Sequence, residues 1–242
     1  AIGSNNFSFG AKTIAIGYQS NADSSYATQR DPTITSPKPA LAIGSKASAT
    51  NQATIAIGNE ASALAQYSIA IGANALSSHL NTVAIGASAA NTGENGVSIG
   101  YEATGQGVSI GEKTTSTWDS VAIGTNSASR GNYSVAMGFG ANANERRAVA
   151  IGSNANANDS STAIGNANAS GKQAVAMGYS SSALADNAIS VGSSSLANGA
   201  SSIAMGVGSK AMSSNSIAIG TGNVVTGNNS GAFGDPNTVS GT

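Results

Sequence analysis

Ser68-Ile69-Ala70-Ile71-Gly72 is followed fourteen residues on by Thr82-Val83-Ala84-Ile85-Gly86, and fourteen further by Gly96-Val97-Ser98-Ile99-Gly100. The unit is aliphatic-small-aliphatic-glycine. It returns along the chain as Ile14-Ala15-Ile16-Gly17, Leu41-Ala42-Ile43-Gly44, Val121-Ala122-Ile123-Gly124, Val135-Ala136-Met137-Gly138 and Ile217-Ala218-Ile219-Gly220, and degenerates at Gly231-Ala232-Phe233-Gly234. The repeat glycines are mostly 14 residues apart, with three intervals of 13, one of 11 (Gly100 to Gly111) and one of 27 (Gly17 to Gly44). This period is too short for a helix-pair repeat. The triplet alternates with period two, and its β-branched residues favour extended backbone. About seven residues later comes a weaker alternation of alanine with polar residues, as in Ala47-Ser48-Ala49, Ala61-Ser62-Ala63, Ala141-Asn142-Ala143 and Ala155-Asn156-Ala157. Clusters of Gly, Asn and Ser separate the two, as tight turns require. Each repeat is therefore predicted to be two short strands and two turns. That is one coil of an all-β parallel β-solenoid, with each strand paired in register to its copy one coil on.

The alternation also predicts a direction for each side chain. The large residues three and one positions before the glycine are expected inside the roll, and the intervening Ala or Ser outside. A small outward residue suits close approach of another backbone. Ala56, Ala70, Ala84, Ala122, Ala136 and Ala150 are accordingly expected at contacts between copies of the chain. The opposite assignment, with the aliphatics at the subunit contact, is the alternative. One roll buries too little apolar area to offset chain entropy, which predicts an obligate oligomer.

Composition fits a thin, repetitive core better than a large globular one. Leu, Ile, Val and Phe total 41 of 242 residues, a low fraction that goes with disorder only when net charge is high, and here the net charge is −1. The absence of Cys excludes disulfides and thiolate metal sites. Ten basic against eleven acidic residues give no signature of nucleic-acid binding. No run approaches the ~18 apolar residues of a membrane span, and the first residues lack a leader pattern. Ala1-Ile2-Gly3 reads as the tail of a repeat, so the chain is expected to be a piece of a longer protein.

Segments such as Ser68-Ile69-Ala70-Ile71-Gly72, Ser120-Val121-Ala122-Ile123-Gly124 and Ser134-Val135-Ala136-Met137-Gly138 resemble the YadA-like head of trimeric autotransporter adhesins, over nearly the whole chain. Adhesins of the ubiquitous surface protein A type are the nearest resemblance. The resemblance implies a left-handed parallel β-roll, three chains side by side, at the far end of a fibre on the bacterial outer membrane. Residues 1–234 would be the head, and 235–242 the approach to a neck and stalk. It implies attachment to host matrix proteins such as fibronectin, collagen or laminin, or to epithelial receptors, with no membrane contact by this segment. A passive spacer displaying a binding region elsewhere is the alternative.

Departures from the pattern are the candidate binding sites. The long interval, an insertion at about 18–40, holds Tyr26, Arg30, Asp31, Lys38 and three prolines. A solenoid accommodates extra chain at a turn, and prolines cannot join a ladder. Two readings stay open: a ligand-contacting loop, or a decoration. The irregular stretch from Gly100 to Gly124 carries Glu102, Glu112, Lys113, Asp119 and Trp118. Trp118 is either a hot spot or a patch on a distorted coil. Glu145, Arg146 and Arg147 read as a solvated turn or as a contact for an acidic ligand. The single histidine, His79, has no acid near it in sequence to build a triad, and the Asp residues do not recur in phase as a calcium repeat requires. No enzyme activity, cofactor or metal is expected.

Overall fold

The computed structural model describes residues 1–10, 12–25 and 38–241. Among them every regular element is a short β-strand, and the pairing is parallel throughout. The chain divides into two compact units, Ala1–Asp119 and Ser120–Thr242. In the first, the strands Ile14–Ile16, Leu41–Ile43, Ile55–Ile57, Ile69–Ile71, Val83–Ile85, Val97–Ile99 and Val108–Ile110 form one sheet. Shorter strands such as Ser48–Ala49, Ser62–Ala63 and Leu76–Ser77 form the other. Register is repeat upon repeat: Ile69, Ala70 and Ile71 lie beside Val83, Ala84 and Ile85. The second unit has the same coil plan, its longer strands running from Val121–Ile123 to Gly231–Phe233 and its shorter ones from Ala128–Ser129 to Thr238–Val239.

The coil from Gly58 to Gly72 shows why these residues build this turn of chain. Gly58 sits at φ +136°, and a Cβ there would lie 2.5 Å from the Gly72 carbonyl oxygen. Only glycine permits both the dihedral and the approach of the next coil. Glu60 and Tyr67 are both left-handed, each at φ 58°. That conformation costs roughly 1–2 kcal/mol for an L-residue. Each of the two donates its N–H to the same turn of the preceding coil, Glu60 to Ser45 O at 2.8 Å and Tyr67 to Gln52 O at 3.0 Å. Those bonds offset the strain and lock successive coils together.

The interior corrects the expected side-chain direction. Ala61, Ala63, Ser68 and Ala70 point inward and are fully buried. Ile69 and Ile71 lie on the outer face and are only part-buried. Ala56, Ala70, Ala84, Ala122, Ala136 and Ala150 are all 0% exposed within their own chain, so they cannot be the contact with another copy. The physical reason is the narrowness of the roll. Strands of two and three residues joined by tight turns bring the sheets so close that most inward positions hold only a methyl or hydroxymethyl group, and the largest fully buried side chains are those of Val225, Asn91 and Asn223. The buried clusters of both units are correspondingly almost all alanine. Some inward hydroxyls bond across this interior, as between Ser109 and Ser116 at 2.7 Å and Ser190 and Ser195 at 2.7 Å, which satisfies groups that are costly unpaired, whereas the buried hydroxyls of Ser24, Ser68, Ser127 and Ser202 have no partner among the described residues.

The irregular intervals keep the ladder and alter a turn. Ile14–Ile16 pairs directly with Leu41–Ile43, and Asn21 and Ala22 with Ser48 and Ala49. The extra residues of the long interval thus fall between Asp23 and Leu41, where the second turn of a coil belongs. In the 11-residue interval, Val97–Ile99 still pairs with Val108–Ile110 and Thr104–Gly105 with Thr115–Ser116. Only Gln106 and Gly107 remain between the strands. Asn91, fully buried where most coils have alanine, donates to Ser98 Oγ at 3.1 Å and to Gly107 O at 3.3 Å. It ties the shortened turn to its neighbour.

Candidate interaction surfaces

Because the small residues point inward, the large ones form two parallel rows on the outside of the longer-stranded sheet. In the first unit the rows include Ile55, Ile69 and Val83 beside Ile57, Ile71 and Ile85. In the second they include Val135, Val149 and Val175 beside Met137, Ile151 and Met177. Neighbours about 4.8 Å apart along a row cover each other's flanks, but the tips remain open: Ile151 is 38% and Met205 41% exposed. Part-exposed apolar rows of this kind are candidates for a contact with a protein, a membrane or a ligand. Near its start lies a hollow of about 480 Å³ lined by Lys12, Ile14, Pro39, Leu41, Thr54 and Ile55.

The polar features lie on the turns and on the shorter-stranded sheet. Arg146, Asp159, Lys172 and Asp186 occupy one turn position in successive coils, each backbone carbonyl accepting from the next coil. Their signs alternate, which avoids the repulsion that an in-register stack of like charges would create. Lys172 pairs with Asp159 at 3.5 Å, and its N–H donates to Asp186 Oδ1 at 3.0 Å. On the shorter-stranded sheet the outward asparagines form a ladder. Asn144 donates to Asn156 at 2.8 Å and to Asn158 at 3.0 Å, and Asn156 donates to Asn168 at 2.8 Å. Arg130 heads this ladder, bonding Asn142 and, at 3.3 Å, Asn144 through one guanidinium nitrogen.

Of the residues singled out in the sequence, Tyr26, Arg30 and Asp31 lie outside the described residues. Lys38 donates to Tyr67 Oη at 3.0 Å, with its ammonium 4.5 Å from the Tyr67 ring centre. Trp118 is 48% exposed on a turn before Val121, so its ring does not fill a coil interior. Tyr101 Oη donates to the Glu102 carboxylate; that bond first, and then the charge of Glu102, hold the phenol above its ordinary pKa. Lys113 stands 6.0 Å from the Tyr101 ring centre. Arg146 and Arg147 are exposed, with Arg147 left-handed at φ 58°. The sequence reading passed over Arg130 and the asparagine ladder. Their signal was phase: Asn142, Asn156 and Asn168 share one strand position, and Arg130, Asn144 and Asn158 another. His79 Nδ1 hydrogen-bonds its neighbour's hydroxyl, Ser78 Oγ, at 3.0 Å. Among the described residues no group of His, Asp or Glu is arranged to hold a metal ion.

A parallel β-solenoid is a repeat protein in which each coil contacts only its neighbours and presents side chains outward at fixed intervals. The family model for the YadA head domain repeat, two copies long, matches in overlapping windows over residues 1–28, 39–89, 119–155, 169–195 and 197–235. This chain belongs to that family, the head repeats of trimeric autotransporter adhesins. The unmatched stretches contain part of the long interval, the 11-residue interval, Trp118 in the interval after it, and part of the two consecutive 13-residue intervals. No curated protein matches the chain at a significant level.

Proposed function

We propose that the chain is the adhesive head of a fibre projecting from the bacterial outer membrane, assembled as a homotrimer. Its aliphatic faces turn toward a common axis. Its outer turns and shorter-stranded sheets hold host matrix proteins, or receptors on host cells, through many weak repeated contacts. The observation that carries this reading is the double row of part-exposed Ile, Val and Met running through each unit. Trimer formation would bury the open remainder of those side chains. Full burial of such a side chain is worth about 1.5–3 kcal/mol, so a modest gain at each coil accumulates over the repeats. Three-fold repetition then converts shallow contacts into avidity, on the order of 10²-fold or more.

The test has two arms. Light scattering of the purified head should give three times the chain mass, and Ile71→Glu with Ile85→Glu should yield monomers or unfolded chain. A stable folded monomer in the parent would overturn the assembly. The same trimer should adhere to surfaces coated with fibronectin, collagen or laminin, or to epithelial cells. A folded trimer that holds to none of them is a spacer.

A further inference from the structure

The chain has four arginines, and three of them, Arg130, Arg146 and Arg147, lie on two adjacent coils of the second unit. Arg130 N donates to Ala143 O at 2.8 Å. A Cβ added to Gly131 would fall 2.0 Å from the Glu145 carbonyl carbon and 2.5 Å from Arg146 N. The turn after Arg130 is thus stacked directly on the turn that carries Arg146 and Arg147. Arg147 N donates to Asn132 O at 3.0 Å, which sets Arg147 beside Tyr133, left-handed at φ 61° and 56% exposed. All three arginines are exposed, and among the described residues no carboxylate is within ion-pair distance of any of them. Glu145 in the same turn, and Asp159 at the turn position of Arg146 one coil on, leave these three coils with one net positive charge in a chain whose net charge is −1.

What adjoins the cluster narrows the ligand. Arg130 is held by Asn142 and Asn144 through Nη1, which leaves Nη2 and Nε for another acceptor. Beyond it the outward surface becomes uncharged amides, Asn156, Asn158 and Asn168. A planar guanidinium matches the paired oxygens of an oxyanion. Amides donate to and accept from hydroxyls. A nucleic acid would present phosphate along its whole length and would gain little from the neutral ladder. We propose that this corner and the adjoining ladder bind a sulfated, hydroxyl-rich linear polysaccharide, with Arg130, Arg146 and Arg147 on the sulfate groups and the asparagines on the sugar hydroxyls. The proposal rests on the adhesive-head reading and names one ligand class for it.

The experiment uses the whole head on surfaces coated with heparin, with chemically desulfated heparin, and with the matrix proteins in parallel. The parent should bind heparin at low salt, weaken as salt rises, and bind the desulfated chain at least tenfold less. Arg130→Gln, Arg146→Gln and Arg147→Gln combined should weaken heparin binding on the order of a hundredfold, since the loss repeats in each chain of an avid assembly, with an unchanged melting temperature. The corresponding lysine triple should recover part of the binding, because it keeps charge and loses the fork. Equal binding of the desulfated chain, or an unaffected glutamine triple, would overturn the assignment. So would equal competition by double-stranded DNA, which would make the ligand a nucleic acid. A parent head that binds the matrix proteins but not heparin sinks this proposal alone. Loss of both in the folded parent sinks the adhesive head.

Discussion

At the scale of the residue, the inner position of the longer strand decides whether a coil closes. Ala70 and Ala84 occupy a row that continues as Ser98 and Ser109, and all four are fully buried. The site accepts a methyl or a hydroxymethyl group and nothing longer. Ala70→Leu should therefore destabilise the head by about 1–3 kcal/mol or more, because a close-packed interior pays strain for added methylenes. Ala70→Ser should cost under about 1 kcal/mol, since the neighbouring rows already hold serine hydroxyls with partners. Denaturant unfolding of the two variants checks this. Equal stability would mean that the interior is wider than its alanines indicate.

At the scale of the element, the second turn of each coil absorbs variation in length while the strands keep register. In a regular coil Leu64, Ala65, Gln66, Tyr67 and Ser68 link one strand to the next, and Tyr67 is the left-handed member. Deleting residues 26–38 would restore a 14-residue interval and leave Asp23, Ser24, Ser25, Pro39 and Ala40 in that role. Pro39 would then fall at the left-handed position, which proline cannot adopt and where it has no N–H for the preceding coil. The deletion combined with Pro39→Asn should fold with a melting temperature within a few degrees of the parent, and the deletion with Pro39 retained should melt lower. Thermal unfolding followed by far-UV dichroism distinguishes them. Similar melting of the two would show that the left-handed turn is not required there.

At the scale of the whole molecule, the proposed assembly would make stability and association one quantity. The interior of most coils is four small side chains, while most of the larger apolar side chains stand outside, part-exposed. A chain that keeps its larger apolar groups on one face depends on what covers that face. The melting temperature should consequently rise with protein concentration, and the Ile71→Glu, Ile85→Glu variant should lose that dependence along with most of its stability. A concentration-independent melting temperature across a hundredfold dilution, in a parent that dissociates over that range, would separate folding from assembly. The overall charge balance is equally uninformative about local surfaces: 10 cations against 11 anions conceal the clustering of Arg130, Arg146 and Arg147.

Periodicity is a property of the chain read along its length, so the sequence by itself determined the coil, its two strands, its two turns and the parallel register. Each of these follows from equal spacing of like residues. Glycine at every repeat is legible for the same reason, since the dihedral and the approach of the next coil recur. Which face of the triplet is inside is different. Val-Ala-Ile alternates identically whether the alanine or the aliphatics point inward, and hydrophobicity favours the wrong choice when the covering partner is a second chain. Only the tertiary structure, by leaving room at this strand position for no more than a small side chain, put Ala70 in the core and Ile69 and Ile71 on the surface. The arginine corner was half legible: Arg146 and Arg147 stand together in sequence, but Arg130 joins them only because stacking places one coil upon the next.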